Sequence, residues 1–151
     1  MKSKYVLWGV VALLAVVVLV LAFRPAGAKV ENVDAAGVQA AIDSGAQVID
    51  VRTAGEYQLG HVPGAVNVPV DQIEAEAQGW DKGGTYVIYC ATGSRSVSAV
   101  ESMKALGFTD IKHFNAGIQA WNGQLEKGAA SSANKIQTSG KPVLIEFYTD
   151  S

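Results

Sequence analysis

The sequence predicts an α/β domain with a mostly parallel central sheet flanked by helices and preceded by one N-terminal hydrophobic helix. Two observations predict the α/β part, the strand-like runs and the helical stretches between them. Short apolar or β-branched runs at 47–51 (QVIDV), 85–89 (TYVIY) and 110–114 (DIKHF) alternate with stretches of helical spacing. Such alternation buries a parallel sheet between helices. A third observation predicts the leading helix: residues 5–23 carry no charge. With 151 residues and no internal repeat, the chain makes one such unit.

Residues 5–23 are preceded by Lys2 and Lys4 and closed by Arg24-Pro25. As a helix this run is about 28 Å long, close to a bilayer core. Its length favours a retained membrane anchor. Ala26-Gly27-Ala28 fits the small-x-small pattern of a cleaved signal peptide, which would make Lys29 the mature N-terminus. Residues 1–28 are therefore a signal peptide or a membrane anchor. Lys2 and Lys4 place the N-terminus in the cytoplasm and the body outside. The expected location is extracytoplasmic (periplasmic), anchored by residues 5–23 or released after Ala28.

In the body, 30–32 reads as a short strand and Asp34 as the N-cap of a helix over 35–44, ended by Gly45. A strand over 47–51 precedes a short helix over 53–59, stopped by Gly60. Pro63, Gly64 and Pro69 keep 62–69 extended. An acidic helix over 71–78 leads to Gly83-Gly84 and the clearest strand, 85–89. The helix over 95–106 has Val97, Val100, Met103 and Leu106 spaced for one buried face, with Gly107 as C-cap. A strand over 110–114 and a helix over 118–125, carrying Trp121, complete the domain.

Lys2, Lys4 and Arg24 belong to the leading segment, so the body holds 9 basic against 14 acidic residues. That balance excludes nucleic acid and anionic lipid as main partners. The single cysteine excludes an internal disulfide, a CxxC redox pair and a Cys-rich zinc site. No metal-ligand spacing or Gly-rich phosphate motif is present, and no cofactor is expected.

Cys90 follows the strand 85–89 directly and opens the loop Cys90-Ala91-Thr92-Gly93-Ser94-Arg95. Ligands bind at this carboxyl end of strands in open α/β sheets. Small residues and Gly93 let the loop curl so that backbone N–H groups converge on one anion, and the next helix adds its positive N-terminus. Such a cradle lowers a thiol pKa and makes Cys90 a thiolate nucleophile, while Arg95 adds a fixed charge.

The chain resembles single-domain rhodanese-like proteins over about 30–124. The residues carrying the resemblance are Asp50-Val51-Arg52, Glu56-Tyr57, Gly60-His61-Val62-Pro63-Gly64-Ala65-Val66-Asn67-Val68-Pro69, Val87-Ile88-Tyr89-Cys90, Gly93, Arg95-Ser96, and Gly117 with Trp121. Ala116 departs from the pattern, which often has a second glycine there. The resemblance makes 29–126 a rhodanese-like domain and implies a sulfurtransferase. Cys90 would take sulfane sulfur from a small donor such as thiosulfate, become a persulfide and pass the sulfur to cyanide, a thiol or a partner protein. Ala91, Thr92, Gly93, Ser94 and Arg95 would bind the substrate, with their N–H groups on the persulfide and the Arg95 side chain on an anionic donor. The alternative is a partner-specific persulfide carrier or redox-sensing module with little activity on free thiosulfate. A phosphatase is disfavoured, because in this fold a six-residue loop goes with sulfur transfer and a seven-residue loop with phosphate; Cys90 to Arg95 counts six.

Other polar residues are expected to be structural. His61 sits in a turn-rich motif, Asp50 and Arg52 tie loops together, and His113 ends a strand where it faces solvent or caps a neighbour. Glu74 and Glu76 form a solvated face, and Trp80 is a packing anchor. Residues 127–151 read as a linker and a C-terminal strand. The segment 141–148 (KPVLIEFY) resembles the strand before the CxxC of thioredoxin-like domains. It is either the start of a truncated thioredoxin-like domain or a strand that pairs with a sheet edge. A thioredoxin-like thiol is accordingly an expected sulfur acceptor.

Overall fold

The computed structural model describes residues 14–15 and 27–128. The expectations for the hydrophobic segment 5–23 as a whole and for the strand at 142–149 lie outside these residues. Among the described residues no helix is long and apolar enough to cross a membrane.

Five strands form one sheet in the order β1-β5-β4-β2-β3: β1 (Lys29–Asn32), β2 (Gln47–Asp50), β3 (Val66–Asn67), β4 (Thr85–Tyr89) and β5 (Asp110–Phe114). Every pair is parallel. The register sets Asp50 beside Tyr89 and Ile88 beside His113. Helices α1 (Ala35–Asp43), α2 (Ala54–Leu59), α3 (Ile73–Glu76) and α4 (Ser94–Ala105) connect them. β4 lies at the centre of the sheet, so the loop after it is held by neighbours on both sides.

Local chemistry explains the helix starts. Asp34 caps α1 by accepting the Gly37 N–H at 2.8 Å. Thr53 and Glu56 form a reciprocal capping box on α2. The parallel strands bury side chains on both faces. One core gathers Ile49, Ile88 and Ile111 with Ile73, Val100 and Met103. Trp80 is part of it, stacked on Tyr86 and edge-on to Phe108. The opposite face packs Val48, Val87 and Phe114 against Val38 of α1 and Tyr57 of α2.

Three expectations are corrected. Val97 is 51% exposed; the inward face of α4 consists of Ser96, Ala99, Val100 and Met103. The helix placed over 118–125 is only a 3₁₀ turn, Ile118–Ala120. Trp121 is already extended there, its Nε1 donates to the Gln124 carbonyl, and Glu126 runs on to pair with His61 through two 2.9 Å backbone bonds. The His61 pairing needs extended chain, and this overrides helical spacing. Finally, of the two alternatives for His113 the solvent-facing one fails: it is 6% exposed and its Nε2 meets the Ser96 hydroxyl of the neighbouring α4.

Candidate active site

Cys90 leaves β4 on the same face as Ile88, with the helix α4 beginning four residues later, and it is fully buried. The chain must turn back sharply to reach α4, and Gly93 makes that turn at φ 97° as the N-cap. A Cβ at Gly93 would lie 2.0 Å from the Asn115 carbonyl oxygen. Gly117 meets the loop from the other side: a Cβ there would lie 2.3 Å from the Ala91 oxygen. The loop is further tied down by the Ile118 N–H, which donates to the Cys90 carbonyl at 2.9 Å. Two glycines thus allow the segment after β5 to clamp the segment after β4.

Within this curl the Gly93 N–H donates to the Cys90 sulfur at 3.1 Å. Burial alone would push the thiol pKa up. It is outweighed by the Ser96 hydroxyl and by the Ser96, Thr92 and Gly93 N–H groups, which favour the anion and hold the pKa below its ordinary value. The arrangement is a nest for one negative sulfur at a helix N-terminus.

Arg95 stands beside the nest, but its guanidinium is engaged. Nη1 and Nη2 donate to the two Glu56 carboxylate oxygens at 2.7 and 2.8 Å. Glu56 also accepts from the Thr53 N–H and hydroxyl. The Arg95 hydrogen bond, more than any other influence, holds the Glu56 carboxyl down to about 2. Behind the loop, Arg52 is buried and forked onto Asp50, with a further bond to the Gly60 carbonyl at 2.7 Å. Asn67 Nδ2 bridges the carbonyls of Asp50 and Arg52. This network fixes the carboxyl ends of β2 and β3 and touches no reacting atom. His61 is structural in the same sense: its ring stacks on Tyr57 at 3.6 Å and its Nδ1 donates to the Tyr57 carbonyl.

Of the residues expected to bind substrate, Thr92 and Gly93 turn their N–H groups to the Cys90 sulfur, while the Arg95 side chain is turned onto Glu56. Three contributors were missed by sequence reasoning. Glu56 was detectable, since Thr53-x-x-Glu56 spells a capping box. Ser96 lies one residue beyond the loop as counted, and nothing local marks its inward direction. His113 is brought in only by sheet register. Among the described residues no group of three or more His, Cys, Asp or Glu side chains could hold a metal ion.

The central strand of a parallel sheet thus delivers a buried cysteine into a six-residue loop whose hydrogen bonds favour its anionic form. The chain belongs to the rhodanese-like family, whose domain model matches residues 34–124. It is similar to YrkF of Bacillus subtilis, named for a sulfur-carrier role, at 32% identity over 84 residues, covering 56% of this chain and 45% of that protein. It is similar to thiosulfate sulfurtransferase 16 of Arabidopsis thaliana at 30% identity over 90 residues, 52% of this chain and 75% of that one. A rhodanese-like domain protein from Staphylococcus aureus superposes with a TM-score of 0.58 at 30% identity, covering 66% of this chain and 99% of that structure. The match spans less than half the length of YrkF.

Proposed function

We propose that the protein transfers sulfane sulfur through a persulfide on Cys90. The observation that carries this is the 3.1 Å bond from the Gly93 N–H to a fully buried sulfur that is held toward its anionic form. A thiolate so placed attacks the outer sulfur of a donor such as thiosulfate. An S–S bond forms to Cys90, the donor's S–S bond breaks, and its electron pair leaves with sulfite. The terminal sulfur of the persulfide keeps one negative charge, which the same N–H groups accommodate. An acceptor thiolate or cyanide then attacks that terminal sulfur and releases the Cys90 thiolate. The reacting form is the thiolate, which the hydrogen bonds of the nest favour over the thiol.

The test is direct. The protein is incubated with thiosulfate, its intact mass recorded, cyanide added and thiocyanate assayed, with Cys90→Ser in parallel. A gain of one sulfur, lost to cyanide and absent from the variant, is the expected result. No sulfur uptake from thiosulfate or from an alkyl persulfide sinks the proposal.

A second reading is favoured by the Arg95–Glu56 pair. Two of the guanidinium N–H groups already serve a carboxylate, so Arg95 offers a free dianion less than a full charge. On this reading the protein is a carrier for a dedicated partner, and a thioredoxin-like thiol suits the acceptor role. Persulfide that forms but does not pass to cyanide would identify that case. The uncharged run 5–23 and Ala26-Gly27-Ala28 support placing this chemistry outside the cytoplasm, anchored or released. Protease accessibility in intact spheroplasts tests the placement.

A further inference from the structure

The Ser96 hydroxyl, which favours the anionic sulfur, has a buried partner of its own that the transfer chemistry above does not use. Ser96 is on the inward face of α4 and 0% exposed; His113 is on β5 and 6% exposed. Their Oγ and Nε2 are 2.8 Å apart. Ser96 Oγ is also 2.8 Å from the Gly93 carbonyl oxygen. A carbonyl only accepts, so Ser96 donates its one proton there, and Nε2 of His113 must be the donor to Ser96 Oγ. The geometry thus selects the Nε2–H tautomer. The opposite tautomer would draw the hydroxyl proton to the imidazole and present an oxygen lone pair to the sulfur nest.

We propose that His113 is a positioning residue for the sulfur chemistry: by donating from Nε2 to Ser96 Oγ, it reserves the Ser96 proton for the Gly93 carbonyl and the Cys90 sulfur. The hydroxyl turns from the carbonyl to the sulfur when the sulfur is negative. The carbonyl is not orphaned by that turn, since it still accepts the Val97 N–H at 3.1 Å. Burial lowers the His113 pKa, which keeps the ring neutral and the tautomer meaningful. The register supplies the alignment: His113 is paired with Ile88, two residues before Cys90, so all three side chains leave the sheet on the α4 face. The inference rests on Cys90 as the reacting sulfur.

The experiment reads the Cys90 thiolate pKa from the pH dependence of iodoacetamide alkylation, which requires no donor, acceptor or turnover. The proteins are wild type, Ser96→Ala, His113→Leu, His113→Gln and the double variant Ser96→Ala/His113→Leu, each checked for a native circular-dichroism spectrum and cooperative melt. Ser96→Ala is expected to raise the pKa by about one unit, a tenfold loss of thiolate at pH values below it. His113→Leu should do nearly the same, and the double variant should add little to either. His113→Gln, whose amide can donate, should recover much of the shift. A His113→Leu pKa equal to wild type, or a double variant in which the shifts add in full, overturns the proposal. If His113→Leu alone does not fold, the same reading is taken from His113→Gln against His113→Met, whose uncharged side chain cannot donate and should leave the pKa raised. Failure of sulfur uptake with these pKa shifts intact would count against the sulfur-transfer reading and leave the positioning role standing.

Discussion

Arg95 and Glu56 face each other in a fork, with both guanidinium termini on both carboxylate oxygens at 2.7 and 2.8 Å. The pair links the first turn of α4 to the first turn of α2, 39 residues apart in sequence. It therefore ties the loop after β4 to the helix that follows β2.

Glu56 titrates at about 2 in the fold against an ordinary value of 4.5. Between those values the unfolded chain binds more protons than the folded one, so stability rises with pH across that interval. The stabilisation from Glu56 is complete above about pH 4.5 and drains away as pH falls toward 2. Denaturant unfolding of wild type and Glu56→Gln from pH 2 to 6 should show curves that converge at the acid end and separate above 4.5. Parallel curves would contradict the pairing.

Arg52 and Asp50 are both buried, so removing one leaves an uncompensated charge. Arg52→Met is expected to cost about 3–5 kcal/mol of stability. The double variant Asp50→Asn/Arg52→Met should be less damaging than Arg52→Met alone, because no charge is left behind. Urea midpoints at constant m-value decide this.

Gly93 holds φ 97° with the Asn115 carbonyl against it. Gly93→Ala adds backbone strain of about 1–3 kcal/mol and a contact that the clamp from the β5 side cannot yield without moving. The expected result is a lower melting temperature together with loss of persulfide loading. Gly45→Ala, also at positive φ but with nothing within 4 Å, should lose stability while loading normally.

Cys90 is held below the ordinary thiol range by Ser96, Thr92 and Gly93. Its alkylation by a small reagent should therefore reach half its maximal rate below the roughly 8.5 of a free cysteine. A profile centred at or above that value would mean that burial, and not the hydrogen bonds, governs the sulfur.

Much of the site could be read from residue order. Strand β4, Cys90 at its end, and Gly93 as the turn residue are local features, set by β-branched runs and by a backbone conformation that glycine tolerates. Helix α1 was equally local, from Asp34 at its start to Gly45 beyond its end. The errors share one cause. Val97 fits helical spacing as well as Ala99 does, and only the placement of the sheet decides which side of α4 is covered. Residues 118–125 have helical spacing, yet the pairing of Glu126 with His61, 65 positions apart, extends the chain. His113 looked like a strand-end residue at the surface because nothing near it in sequence announces α4 above it.

By itself the amino-acid order determined the α/β class, the cysteine at the end of β4 and the loop around it, since each depends on interactions within a few residues. Tertiary structure alone decided what surrounds that cysteine and its loop. Glu56 on Arg95, Gly117 against Ala91 and His113 on Ser96 are contacts between elements far apart in the chain. They exist because a parallel sheet brings the carboxyl ends of its strands to one edge.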